Sequence, residues 1–216
     1  MFAPGEFYHL YNRGTEKRII FSSKKDHERF LALLYLANSS KTLHLSDYPN
    51  ATLQELFMIE RGELLVDICA YCLMPNHFHL LVRESGKQGI SRFMQKLQIG
   101  YTMYFNTRYE RTGVLFQGKH KARHANKDSY LKYLVSYLHL NPVKLIEPAW
   151  KETGIKNQKL VKAYLDSYQY SSYADYCGRD RIQKNIITRS ALPEYFQTPL
   201  AFEANLAEWL NYGGTR

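Results

Sequence analysis

Residues 64–84 read LLVDICAYCLMPNHFHLLVRE, two strand-length apolar runs joined at Met-Pro-Asn. We read them as strands over 64–73 and 77–84, and no other segment constrains the fold as strongly. Side chains alternate along a strand, so His77 and His79 project to one side while Phe78, Leu80 and Val82 project to the other. The second strand thus has an apolar face and a face carrying two imidazoles. Such a strand suits a sheet that is sealed on one side and at work on the other.

The flanking segments extend this pair into a recognisable order. GEFYHLYNRG, residues 5–14, reads as a strand closed by a turn at Arg13 and Gly14. KKDHERFLALLYLANSS spaces Phe30, Leu31, Leu33, Leu34 and Ala37 helically behind Asp26, and 89–107 places Ile90, Phe93, Met94, Leu97, Tyr101 and Tyr104 along one side of a second helix. A basic strand over 113–127 and a helix over 128–141, begun by Asp128 and ended near Asn141-Pro142, follow. Strand, helix, strand, strand, helix, strand, helix contains the core of the α+β, ferredoxin-like or RRM-like antiparallel sheet, whose two helices cover one face and leave the other free. Residues 40–63 read as a connector. From 148 to 216 the chain is aromatic and polar without clear period, apart from a last helix in PLAFEANLAEWLNYGG. We divide it into a core over 1–147 and a C-terminal extension over 148–216 that packs on the core.

Charge narrows the partners. Twenty-nine Lys and Arg against 20 Asp and Glu give +9, which favours a polyanion, nucleic acid before anionic membrane. Between Gly86 and Val135 stand ten of the basic residues and only two acids, so most of the excess falls in one stretch. Lys119, Lys121 and Arg123 alternate within the expected strand and would form one basic row; with Arg13 they are the expected DNA contacts. Tyr8, Tyr11 and Tyr173 are candidates for stacking unpaired bases. No apolar run is long enough to span a bilayer and the N-terminus lacks the layout of a signal peptide, which points to a cytoplasmic protein with no membrane partner. The three cysteines do not make a disulfide framework. Cys69 and Cys72, three apart in a strand, are expected on opposite faces and so unable to share a metal.

Two neutral imidazoles on one face can both donate to a divalent ion, but two ligands do not make a site. In the helix 128–141, Leu131, Leu134, Val135 and Leu138 form the buried stripe, and Tyr137 and Asn141, four apart, share its flank. A phenol and a carboxamide there could lean over the sheet and reach the same ion. Tyr130 and Tyr133 occupy similar helical angles, so spacing alone does not single out Tyr137.

The ordered motifs YCLMPNHFHLLV, GVLFQGKHKA and YLKYLVSYLHLNPVK, with YHLYNRG and YSSYADY more weakly, resemble the REP-associated tyrosine transposases, a branch of the single-tyrosine HUH transposases. The resemblance runs from residue 7 to 176. It implies that His77 and His79 bind a divalent metal, Mg²⁺ or Mn²⁺, that Asn141 assists at that metal, and that Tyr137 is the nucleophile. It further implies nicking and strand transfer of single-stranded or hairpin DNA through a 5′-phosphotyrosine, by a monomer or homodimer. His120 departs from the family pattern, and 40–63 looks like an insertion. A phenol of pKa about 10 is ionised to roughly one part in a thousand at pH 7, a handicap near 4 kcal/mol, which a Lewis acid on the phosphate would offset. Two other readings stay open at this point: a non-catalytic single-strand binder, and a zinc hydrolase using His77, His79 and His120 or His124.

Overall fold

A computed structural model describes residues 2–210. Its centre is a four-stranded sheet of β1 (Phe7–Arg13), β2 (Val66–Met74), β3 (His77–Glu84) and β4 (Lys121–His124), in the order β2-β3-β1-β4. Every neighbouring pair is antiparallel. The helices are α1 (Lys24–Leu36), α2 (Leu53–Leu56), α3 (Gly89–Arg108), α4 (Asp128–Leu140), α5 (Trp150–Thr153), α6 (Gln158–Ser167), α7 (Tyr173–Tyr176) and α8 (Pro199–Leu210). The strand order and the antiparallel pairing are those of the ferredoxin-like core expected from the sequence.

One face of the sheet is sealed by α1 and α3. Leu10 of β1, Ile68, Tyr71 and Leu73 of β2, and Phe78, Leu80 and Val82 of β3 meet Phe30, Leu34, Phe93, Leu97 and Tyr101 in a continuous apolar core. The start of α1 is set locally: Ser23 caps the Asp26 amide while the Asp26 carboxylate accepts from the Ser22 and Ser23 amides at 2.9 and 2.8 Å, a reciprocal cap that satisfies donors the first helical turn leaves orphaned.

The other face is not left free. Leu131, Leu134, Val135 and Leu138 of α4 pack on Cys69, Ala70 and Leu81, joined by Trp150, Val161, Leu165, Tyr176 and Phe202 of the C-terminal region. The apolar stripe read from the sequence accounts for this: a face that buries four aliphatic residues needs an apolar partner, and the β2–β3 half of the sheet supplies it. Asp128 is the first residue of α4 rather than its cap; its carboxylate is bonded by Lys132 and Tyr195. The chain beyond also covers the outer edge of β2. Leu73 N donates to Tyr170 O (2.9 Å), Ser172 N to Tyr71 O (3.0 Å) and Thr188 N to Ile68 O (2.8 Å), occupying groups that an open edge would offer to another chain.

Two expectations are corrected here. The basic strand is four residues long, 121–124, with only an isolated bridge between Gly14 and Phe116 before it. Leu115 and Phe116 turn into the α1–α3 core and Gly118 takes φ +69°, so the extended run breaks and Lys119 lies outside the strand. The cysteine parity also fails, because β2 carries a bulge between Ile68 and Ala70, and one extra residue reverses the alternation beyond it. Cys69 and Cys72 consequently lie on the α4 side together, both fully buried. Burial pushes both thiols well above their ordinary pKa, which opposes the thiolate a metal requires.

Candidate active site

Strand register brings the site together. Tyr11 pairs with His79 of β3 and Lys121 of β4; Arg13 pairs with His77, and His9 with Leu81 and Arg123. Residues paired across strands share a face, so His9, Tyr11, Arg13, His77, His79, Lys121 and Arg123 all project toward the α4 side. A cleft of about 390 Å³ opens there, lined by Tyr11, Asn12, Arg13, Lys17, Asn76, His77, His79, Gln117, Lys121 and Tyr137. Of the three tyrosines left equivalent by helical angle, Tyr137 alone lines it. Tyr133 stacks on Tyr137 at 5.6 Å and Tyr130 on Tyr133 at 5.9 Å, so the three form a ladder running away from the cleft.

The histidines are held by bonds to one of their two ring nitrogens. His77 Nδ1 donates to Asn76 Oδ1 at 2.6 Å. His79 Nδ1 meets His9 Nε2 at 2.9 Å, and His79 Nε2 is buried with no hydrogen-bond partner. Burial, then Lys144 and Arg13, lower the His77 pKa to about 4; burial, then Arg123 and Lys151, do the same for His9. Burial and the neighbouring His9 and His77 hold His79 well below the ordinary histidine value too. All three rings are therefore neutral at pH 7, the state in which an imidazole can ligate.

Asn141, directly after α4, is completely buried, and neither its amide oxygen nor its nitrogen is satisfied by a hydrogen bond of good geometry. It faces Tyr137 and favours the ionised phenol, against the larger effect of burial, which raises the Tyr137 pKa. An unsatisfied imidazole nitrogen and an unsatisfied amide, each costly to bury alone, fit a divalent ion that takes nitrogen and oxygen donors and completes its shell with water or phosphate oxygens. Among the described residues no three His, Cys, Asp or Glu side chains converge on one metal position, so such an ion would rest on two imidazoles and an amide.

The expected DNA contacts divide. Arg13 and Lys121 line the cleft, Arg123 lies one row along with its guanidinium 5.6 Å from the Tyr130 ring, and Lys119 stands apart in the bend before β4. Of the aromatic candidates, Tyr11 lines the cleft while Tyr8 and Tyr173 are core residues. His124 projects to the opposite face, where it stacks on Tyr8 and bonds Glu6 at 2.7 Å; His120 stacks on Phe2. Neither joins His77 and His79, so the zinc-hydrolase reading loses its third ligand.

Residues 8–141 match the family described as "Transposase IS200 like". The chain belongs to that family. The match spans more than half of the sequence and contains the histidine pair, the basic segment and the Tyr137–Asn141 flank. A solved REP-associated tyrosine transposase bound to a REP hairpin has a similar fold, with a TM-score of 0.52 at 13% identity, covering 85% of this chain and 87% of that one. No curated protein matches the chain. Among the described residues no helix is long and apolar enough to cross a membrane.

Several residues that line or support this family member's cleft escaped the sequence reading. His9 alternates with Tyr11 and Arg13 against Tyr8 and Leu10, a period of two that was present in FYHLYNR. Lys17 has no such signal: it sits at φ 62° in a tight turn, its carbonyl accepting from Asn76 Nδ2 at 3.1 Å. Gly14 permits that turn, since a Cβ there would lie 2.3 Å from the Arg18 carbonyl oxygen.

Proposed function

We propose that this protein is a metal-dependent transposase that nicks and rejoins single-stranded DNA carrying a hairpin, with Tyr137 as its nucleophile. The observation that carries the reading is the shared cleft: the phenol, both histidines of the pair and two cations of the basic set open onto one space. The hairpin in the solved structure of similar fold supports the choice of substrate.

In this reading Arg13, Lys17 and Lys121 take the phosphate backbone, while Tyr11 offers a ring against a base. His79 Nδ1–H donates to His9 and His77 Nδ1–H to Asn76, which leaves the Nε2 lone pair of each ring directed outward. Partners of this kind fix the tautomer and orientation of a ligating imidazole. A divalent ion of the Mg²⁺ or Mn²⁺ class held by His77, His79 and Asn141 supplies Lewis acidity toward the scissile phosphate when bound. Tyr137 Oη attacks phosphorus; the O–P bond to tyrosine forms as the bond from phosphorus to the 3′ oxygen breaks. The phenolic proton passes to water, and the 3′ oxygen recovers a proton to leave as a hydroxyl. One ester replaces another, so the step reverses without an external energy source.

Incubation of the full chain with single-stranded hairpin DNA and Mn²⁺, followed by a denaturing gel, tests the proposal. A covalent protein–DNA adduct that disappears with EDTA and in Tyr137→Phe is the expected result. Cleavage without an adduct would remove the tyrosine from the chemistry, and binding without cleavage would make the protein a single-strand binder.

A further inference from the structure

The charge that develops on Tyr137 as it reacts is a need that the histidine pair does not address. A tyrosine that attacks phosphorus gives up its proton, and among the described residues no carboxylate lines the cleft to receive it. The two histidines, on the reading above, are committed through both ring nitrogens. What does meet the phenol is a cation. The ammonium of Lys151, in α5, lies 3.8 Å from the centre of the Tyr137 ring. We propose that Lys151 is the positioning residue that makes Tyr137 reactive, its charge stabilising the phenolate as the proton departs.

The placement has a structural cause. Trp150 is almost completely buried among the side chains beneath α4, and α5 is tied to the preceding turn by Trp150 N to Glu147 O (3.1 Å) and Thr153 N to Ala149 O (3.0 Å). With its neighbour anchored, Lys151 is half-buried and lies across the Tyr137 ring rather than extended into solvent. Burial, then the nearby Lys144, lower its pKa to about 8, with exposed Glu152 acting weakly the other way. It therefore remains largely protonated at pH 7, as a cation short of anionic partners.

The energetics favour the right state. A cation over a neutral phenol gains only the attraction of the ring quadrupole. Over a phenolate it gains a full charge–charge interaction across a half-buried gap, which is several times larger. An interaction that strengthens as the reaction proceeds accelerates the chemical step instead of merely tightening binding. Lys151 acts on no bond itself; the tyrosine O–P bond forms, the phosphorus–O3′ bond breaks and the proton moves to water as written above. This inference rests on Tyr137 being the nucleophile.

The test is single-turnover adduct formation with saturating hairpin-bearing single-stranded DNA and Mn²⁺, comparing the full wild-type chain with Lys151→Met and Lys151→Arg. Lys151→Met should form the adduct at least about tenfold more slowly, with its DNA dissociation constant held within about twofold at fixed salt. Lys151→Arg, which keeps a stackable charge, should recover to within about threefold of wild type. Wild-type speed in Lys151→Met overturns the inference. So does a defect confined to the dissociation constant, which would make Lys151 a backbone contact, and so does an arginine variant as slow as the methionine one, which would make the role steric. A wild-type chain that forms no adduct overturns the nucleophile itself and this inference with it.

Discussion

The two faces of β3 differ in what burial accomplishes. On one, Phe78, Leu80 and Val82 are wholly buried against α1 and α3, and burial is simply apolar area removed from water. On the other, His79 is nearly as inaccessible at 6% exposure, yet its Nε2 has no partner and its pKa falls far below the usual value. The same strand thus gives one face to stability and, in the proposed function, the other to chemistry. The second face is itself divided, apolar under α4 at Leu81 and polar toward β1 and β4. The cleft lies where that covering ends.

The comparison is broken most severely by Tyr137→Phe. Loss of one oxygen at the rim of the cleft should abolish adduct formation in the gel assay while lowering stability by only about 0.5–1.5 kcal/mol in urea unfolding. An adduct from this variant would move the nucleophile to Tyr133 or Tyr130. Next in size is Phe78→Ala, which should cost about 3–5 kcal/mol by the same unfolding measurement. His77→Ala, one residue away on the half-buried face, should cost far less stability and instead abolish or cripple cleavage, with partial recovery at high Mn²⁺. Equal stability losses at the two positions would erase the distinction between the faces.

A smaller effect comes from protons. His139 is fully buried between Val135 O (2.7 Å from Nδ1) and Ser172 Oγ (2.8 Å from Nε2), and burial holds its pKa near 3. Below an ordinary histidine pKa near 6.5 the unfolded chain gains a proton that the folded protein refuses. Stability should therefore fall progressively from about pH 6.5 toward pH 3, and urea midpoints taken down that range should fall less steeply in His139→Gln. The smallest effect is electrostatic. Neutralising Lys121 and Arg123 together should reduce the slope of log affinity against log salt by about one unit per lost phosphate contact, whereas Lys119→Gln should change it less. A larger change from Lys119 would mean that DNA reaches past the strand into the bend.

Much of the arrangement was legible because it depends on short-range periodicity. A period of two separated His77 and His79 from Phe78, Leu80 and Val82, and a spacing of four put Tyr137 and Asn141 on one flank of α4, where the structure has them. The failures share a cause as well. The bulge after Ile68 changed the parity of β2, and the turn of Leu115 and Phe116 into the core cut short a strand whose basic alternation looked continuous. Both are places where packing elsewhere overrode a local pattern, and no local pattern announces that.

By itself, then, the sequence determined which residues could share a face: strand and helix geometry are properties of the backbone, and they act within a few residues. Only the tertiary structure decided which faces meet. His9 reaches His79 because β1 lies beside β3, seventy residues away in the chain. Lys151 reaches Tyr137 because Trp150 buries itself beneath α4 and fixes the turn that carries its neighbour. Those encounters depend on how whole apolar surfaces pair to exclude water, a sum over the entire chain that no single segment encodes.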